Sequence, residues 1–411
     1  MTETYELVVI GAGIHGAGVA QAAAAAGYQV LVLEKTAPAA GTSSRSSKLI
    51  HGGLRYLETG DFALVRESLT EREILLRNAP DLVRLIPFHI PVYANTSRRP
   101  WKLRAGLSLY AMLGGFAPST AFASKPAADC ADLRPLRQDG LQEVFTYLDA
   151  QTDDAALTGA VLDSALALGA ELRVPAQLHA AERGPDGYHL RYAWNDGERQ
   201  CRCQALVNAA GPWINHVQAL IDPRPQTMEI DLVQGSHLIY DKPVGKDVFY
   251  VESPSDRRAV FVMPWKGGSL VGTTETIYRG DPDTVSILAE ERAYLNTVMQ
   301  SYFPDYDGNA VGAIAGLRVL PRENLSATRR SRETVLLADD PQSVAAIAIY
   351  GGKLTSYRAT AEKVMNKLRT ALPVRDPIAD TRTLRLTARG DPRPSGTPAD
   401  VAVPNRGQPA G

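Results

Sequence analysis

Hydrophobic runs with two different spacings alternate along the first part of the chain. The continuous run Leu7–Ile10 stops at Gly11, and a second apolar run spans Gln29–Leu33. Short apolar runs bounded by turn residues predict strands. Between them lies an alanine-rich stretch from Val19 to Ala26, ended by Gly27, which predicts a helix. Residues 5–34 therefore read as strand, glycine turn, helix and strand, a complete βαβ unit. Residues 61–78 predict a helix with Asp61 at its N-cap, and Arg66, Glu67, Glu71, Arg72 and Glu73 predict that one of its faces is solvated. Prolines at 80, 87, 91, 100 and 118 make residues 80–150 read as a loop-rich insertion. A second apolar helix is predicted over 153–168, capped by Asp153 or Asp154 and stopped by Gly169. The turn signals Gly184-Pro185-Asp186-Gly187 and Asn195-Asp196-Gly197 predict a meander whose last strand is Ala205–Asn208. Strands are expected at Ala259–Met263, Ser269–Gly272 and Val344–Tyr350, and helices near 286–301 and at Arg358–Leu368. Periodicity ends near Arg389. Five prolines and four glycines in the last 23 residues predict a tail without fixed structure.

Composition narrows the class. A length of 411 residues suggests two or three domains, and 45% hydrophobic with 22% charged residues is an ordinary soluble balance. Lys and Arg total 44 against 45 Asp and Glu, which excludes a strongly basic nucleic-acid binder and leaves room for a local basic patch. The three cysteines, Cys130, Cys201 and Cys203, lack zinc-ligand spacing, so no metal site is expected. Cys201 and Cys203 should share one face of a strand as reduced thiols. No signal peptide precedes the first strand, and no apolar run approaches the roughly 20 residues that span a bilayer. The expected location is the cytoplasm or the cytoplasmic face of the cell membrane.

Two segments carry chemistry. In Gly11-x-Gly13-x-x-Gly16 the glycines allow a tight turn, close approach of a pyrophosphate and close helix–strand packing, the positive end of the following helix faces the phosphates, and His15 inside the turn reads as a first-turn helix residue. Glu34 ends the second strand 34 − 16 = 18 residues past Gly16, where an acid binds ribose hydroxyls. The second segment, Gly41 to Glu58, holds consecutive small hydroxyl residues and glycines that suit a pyrophosphate and a flat ring, with Arg55 and Tyr56 beside them.

From Thr42 to Glu58 the sequence resembles the FAD-dependent glycerol-3-phosphate dehydrogenase family, within the D-amino-acid-oxidase-like flavoproteins. Further matching blocks occur in order: Asn208–Trp213, Gln234–His237, Val262–Trp265, Gly272–Glu275, Gly316–Leu320 and Gly351–Arg358. The resemblance covers about residues 5–370. It implies an α/β, Rossmann-like FAD-binding domain of the GR2 type (1–75, 145–225 and 310–375) and an inserted α+β, mainly antiparallel-sheet substrate domain (76–144 and 226–309). Residues 376–411 are then a mostly disordered tail, where family members continue into a helical domain; a natural short form or a truncation is expected.

The cofactor implied is FAD. Its expected contacts are Gly11, Gly13, Ile14, His15, Gly16 and Glu34; Thr42, Ser43, Ser44, Ser47, Lys48, Leu49, His51 and Gly52; Ala210, Gly211, Trp213 and Gly316; and Gly352, Lys353, Leu354 and Thr355. The reaction implied is oxidation of sn-glycerol 3-phosphate to dihydroxyacetone phosphate by hydride transfer from C2 to flavin N5. Arg55, Arg318 and Lys353 are the expected phosphate cations, with Tyr56 and Thr273 as hydrogen-bond partners. His237 leads as the base, with Arg318 and Lys353 also at the reacting centre; His51 is the rival. Quinone is the expected acceptor and O2 the alternative. A flavin enzyme of another hydroxy acid or amine, and a flavin-binding subunit without turnover, stay open, as does a homodimer. Residues 98–113 place Arg98, Arg99, Lys102 and Arg104 around Trp101, ahead of Leu107, Leu109, Tyr110, Met112 and Leu113. That pattern suits a helix lying on an anionic membrane.

Overall fold

A computed structural model describes residues 2–322 and 333–388. Two large sheets organise them. In the first, strands Glu171–Arg173, Val30–Leu33, Glu3–Ile10, Gly197–Asn208 and Ala346–Tyr350 run parallel side by side. Strand side chains alternate between faces. Leu7 and Val9 therefore pack on one face, against helices Ile14–Ala25, Asp154–Ala167 and Tyr357–Leu368. Val8 and Ile10 pack on the other, under the meander Ala176–Gly184, Gly187–Trp194 and Gly197–Asn208. Cys201 and Cys203 are free thiols buried together on this second face, as their spacing predicts.

The first helix starts at Ile14, five residues before the apolar window that predicts it. Gly16 and Gly18 weaken the helical signal there, yet the packing demands them. A Cβ on Gly16 would lie 1.8 Å from the Gly11 carbonyl oxygen, and one on Gly18 would lie 2.6 Å from the Tyr357 ring. Asp153 caps the helix Asp154–Ala167 by accepting from the Ala155 and Ala156 N–H groups. Asp61 does not cap Phe62–Asn78 with its side chain; its carboxylate instead accepts from the Thr59 hydroxyl. Nor are all the charges of that helix solvated. Arg72 is buried against Asp149, with Nη1 2.8 Å from Oδ1, and Glu71 is buried against Arg358.

The second sheet contradicts the loop-rich reading of residues 80–150. Strands Val83–Tyr93 and Leu141–Thr152 form a long antiparallel ladder, and Pro100–Leu113 is a helix with its proline in the first turn, where no N–H is needed. Pro87 and Pro91 sit inside the first of these strands. They are tolerated because its other neighbour, Val248–Glu252, pairs with it only at Phe88 and His89, leaving few ladder bonds for a missing N–H to break. The sheet continues through Ala259–Trp265, Gly268–Gly272, Ile230–Tyr240 and Ala310–Pro321. Helix Ala289–Tyr302, starting three residues later than expected, closes its far side with Leu295, Val298 and Met299. The boundaries expected at 145 and 310 fall within or at the start of strands of this sheet, and both strands lead back to the first body.

Residues 376–388 lie on the first body: the Ile378 N–H donates to the Ala25 carbonyl, and Leu386 is buried with its N–H on the Asn78 carbonyl. The expected disorder of 389–411 lies outside the described residues. Among the described residues, no helix is long and apolar enough to cross a membrane.

Candidate active site

A cavity of about 1140 Å3 runs between the two bodies, outside the C-terminal ends of the parallel strands. Open α/β sheets bind ligands at this edge, and the volume exceeds the roughly 300–1,000 Å3 of an ordinary small-molecule site.

One wall comes from the glycine turn and the chain segments on either side of the second strand. Gly11, Gly13, Ile14 and His15 line it, while Gly16 sits behind as packing. Glu34 ties the turn together: Oε2 accepts the Ala12 N–H at 2.8 Å and Oε1 accepts the Thr36 N–H at 2.9 Å. A carboxylate has about four lone-pair sites, so acceptor capacity remains for a hydroxyl. Hydroxyls of the Thr42–Ser47 run have definite partners. The Thr42 hydroxyl donates to the Leu317 carbonyl at 2.7 Å, Ser43 accepts the Ile14 N–H at 2.9 Å, and the Ser46 hydroxyl donates to Asp154 at 2.6 Å. Lys48 points away from the cavity into a buried ion pair with Asp154, Nζ to Oδ1 2.6 Å. Gly52 is likewise behind the wall, packed against Tyr110 and Leu69. Leu49, His51, Ala210, Gly211, Trp213 and Gly316 complete this side.

The opposite wall belongs to the second sheet. His237, buried in strand Ile230–Tyr240, shares a hydrogen bond of 2.9 Å between Nε2 and Ser47 Oγ. Burial pushes its imidazole down to about 3, with the Arg318 and Lys48 cations adding to the effect, so the ring is neutral. Arg318 Nη2 donates to Thr273 Oγ1 at 3.1 Å, directly over Gly235, where a Cβ would lie 2.5 Å from that nitrogen. From the first body, Lys353 places its Nζ 3.8 Å from the Tyr56 ring centroid, and Tyr56 stacks near His51 at 6.4 Å. Arg55, Gly352, Leu354 and Thr355 line the same space. The cavity thus joins every expected site residue except Gly16, Lys48 and Gly52, which support its wall from behind.

Some lining residues were missed. Gly235 had a signal, since a glycine inside a strand marks close approach of another group. Arg45 stood in view among the serines. Lys35 had none: it reaches across the cavity mouth to Asp283 at 2.7 Å while lying 4.1 Å from the Trp213 ring centroid. Phe261 and Ala259 read only as strand core.

The residues fit a flavin dinucleotide on observations of this structure. Among the described residues, His15 Nδ1 and Trp213 Nε1 are buried in this wall without hydrogen-bond partners. Burial alone pushes the His15 imidazole down to about 4. Gly352 has φ +109°, and a Cβ there would strike the His15 ring at 2.1 Å. Residues 6–365 match the family described as FAD dependent oxidoreductase. The glycerol-3-phosphate dehydrogenase of Pseudomonas aeruginosa is 36% identical over 375 residues, 90% of this chain and 72% of that protein. The D-erythritol 1-phosphate dehydrogenase of Brucella abortus is 35% identical over 385 residues, 90% of this chain and 75% of that protein. Among solved structures, the glycerol-3-phosphate dehydrogenase of Bacillus halodurans in complex with FAD superposes with a TM-score of 0.74 at 26% identity, covering 93% of this chain and 68% of that one. The chain belongs to the FAD-dependent oxidoreductase family, in the branch that holds the glycerol-3-phosphate dehydrogenases, and FAD is its cofactor.

Proposed function

We propose that the chain oxidises sn-glycerol 3-phosphate to dihydroxyacetone phosphate and passes the electrons to quinone. The observation that carries the reading is the convergence of Arg55, Arg318 and Lys353 with a buried neutral histidine in the cavity that also contains the dinucleotide wall. A phosphate dianion needs several cations, and Arg318 supplies a planar fork where Lys353 supplies a point charge. Tyr56 and Thr273 orient the substrate beside them. In this reading segments 1–75, 145–225 and 310–375 hold the cofactor and also supply Arg55, Tyr56, Arg318 and Lys353 to the substrate, and 76–144 and 226–309 form the rest of the substrate side.

The chemistry that FAD supplies when bound is acceptance of a hydride from C2 at N5. His237 Nε2 takes the proton of the C2 hydroxyl. Its proton affinity is held down in part by the nearby Arg318 cation. A phosphate dianion held by Arg318 adds negative charge and raises the affinity, so the base is strengthened by the substrate it serves. The Gly352–Thr355 turn at the N-terminal end of helix Tyr357–Leu368 suits negative charge nearby.

The membrane contact belongs to the same reading in a narrower form. Leu103, Leu107 and Tyr110 face the core, whereas Trp101 is 67% exposed at the start of the helix, next to Lys102, and Met112 and Phe116 are 53% and 74% exposed at its far end. Arg98 is held by Glu58 and Glu252, and Arg104 by Glu143, so Arg99 and Lys102 carry the electrostatic attraction.

A second reading, oxidation of a longer polyol phosphate such as D-erythritol 1-phosphate, is supported by the Brucella relative. A panel of sn-glycerol 3-phosphate, D-erythritol 1-phosphate and glycerol, with a quinone analogue present and absent, tests both. The proposal expects the highest kcat/KM with sn-glycerol 3-phosphate, little turnover of glycerol, and peroxide formation far slower than quinone reduction. Preference for the four-carbon phosphate would move the assignment to the second reading, and fast peroxide formation would make O2 the acceptor.

A further inference from the structure

Glu291 is a buried carboxylate outside the cavity, on the first turn of helix Ala289–Tyr302. From sequence alone it is an ordinary acidic residue of a helix start, and one of its bonds fits that role: Oε2 accepts the Leu288 N–H at 3.2 Å. Its other bonds leave the helix. Oε2 accepts from Gln234 Nε2 and from Ser236 Oγ, each at 2.6 Å, and Oε1 accepts from Thr274 Oγ1 at 2.6 Å and Thr276 Oγ1 at 2.9 Å. These donors sit on two neighbouring segments of the second sheet, and they flank its cavity-facing residues. Ser236 precedes His237, Gln234 precedes Gly235, and Thr274 comes directly after Thr273.

The connection continues to the cavity. Thr274 Oγ1 accepts the Ser236 N–H at 2.8 Å, the Thr274 carbonyl oxygen lies 3.5 Å from Arg318 Nη1, and Arg318 Nη2 donates to Thr273 at 3.1 Å. We propose that Glu291 is the positioning residue of the substrate wall, holding Thr274 and Ser236 so that Arg318, Thr273 and His237 meet the substrate phosphate and C2 in one fixed geometry. This rests on the phosphate-substrate reading above. Burial pushes the Glu291 carboxyl upward, but the bonds from Ser236, Thr274, Leu288 and Thr276 outweigh it and hold the carboxyl below its usual range. The anion is therefore the form present at neutral pH, and anionic acceptors make the stronger hydrogen bonds that a rigid wall requires. A displacement of about 1 Å in a binding constellation is enough to lose much of its effect.

The test compares Glu291→Gln, Thr274→Val and Thr274→Ser as FAD-loaded proteins. The readouts are bound flavin, KM and kcat for sn-glycerol 3-phosphate, and the Kd of inorganic phosphate from perturbation of the flavin spectrum. The expected result for Glu291→Gln and Thr274→Val is a rise of ~10-fold in KM and phosphate Kd, with flavin content unchanged and kcat altered less than KM. Thr274→Ser, which keeps the hydroxyl, should stay near wild type. If Glu291→Gln does not fold, the Val and Ser pair at 274 decides alone. Wild-type phosphate Kd in the flavin-loaded Glu291→Gln or Thr274→Val protein would overturn the proposal, as would equal losses in Thr274→Ser and Thr274→Val. If the wild type binds inorganic phosphate but does not oxidise sn-glycerol 3-phosphate, the functional reading fails, while the phosphate Kd still judges Glu291.

Discussion

Two buried carboxylates, Asp154 and Glu291, support opposite walls of the cavity from behind, and their surroundings are built differently. On the cofactor side Asp154 meets a cation: Lys48 at 2.6 Å, with the Ser46 N–H at 2.9 Å and the Ala155 N–H at 2.8 Å adding support. On the substrate side Glu291 meets hydroxyls, an amide and a backbone N–H. A buried ion pair is strongly destabilised when one partner is removed, because the other charge is left uncompensated. A carboxylate held by neutral donors loses less when one bond goes, but each bond sets a strand position. The cofactor wall is thus anchored through charge and the substrate wall through geometry.

The largest test breaks the first of these. Lys48→Met leaves Asp154 charged and buried, and should destabilise the protein by about 3–5 kcal/mol with loss of bound FAD, read by thermal melting and flavin absorbance. Unchanged melting would mean that the pair does not anchor the serine loop. The next test concerns the two substrate cations, one from each body. Arg318→Ala and Lys353→Ala should keep FAD but raise KM for sn-glycerol 3-phosphate by roughly 10–100-fold, the value of a charge-assisted hydrogen bond. Loss of flavin in either variant would merge the two walls into one unit.

The histidines sharpen the contrast, one on each side. The folded chain holds His15 near 4 and His237 near 3, while the unfolded chain takes up both protons near 6.5. Between these values the unfolded state binds more protons, so the stability is present above about pH 6.5 and is lost as pH falls through the window. His15→Asn and His237→Asn should each flatten melting-versus-pH plots by ~1 proton. Inorganic phosphate should reduce the His237 share and leave the His15 share alone. The smallest effect concerns the surface. Arg99→Glu with Lys102→Glu should weaken sedimentation with anionic vesicles by ~1 kcal/mol per charge, while Arg98→Glu alone should mainly disturb its ion pairs with Glu58 and Glu252.

Legibility in the sequence divides along the same line. The cofactor side is local: Gly11, Gly13, Gly16, Glu34 and the serine run lie within one stretch of chain, and a glycine that must bend or approach closely leaves a visible mark. The second body is assembled from distant pieces. Strand Val83–Tyr93 was hidden by Pro87 and Pro91, whose tolerance depends on how short the neighbouring pairing is. Arg72 and Glu71 read as surface charges because their partners, Asp149 and Arg358, come from far along the chain. Glu291 was unreadable for the same reason, since Gln234, Ser236 and Thr274 reach it only through the sheet register. Gly235 is the exception, a legible mark in a matched block whose meaning, room for Arg318, needed the strand Ala310–Pro321 beside it.

The proposed reaction needs one cavity to hold both an oxidising flavin and a phosphorylated alcohol. Anaerobic titration of the FAD-loaded protein with sn-glycerol 3-phosphate tests this most directly. Bleaching of the flavin band with release of one dihydroxyacetone phosphate per flavin reduced is the predicted result. A flavin that stays oxidised at saturating substrate, while dithionite still reduces it, would contradict the account.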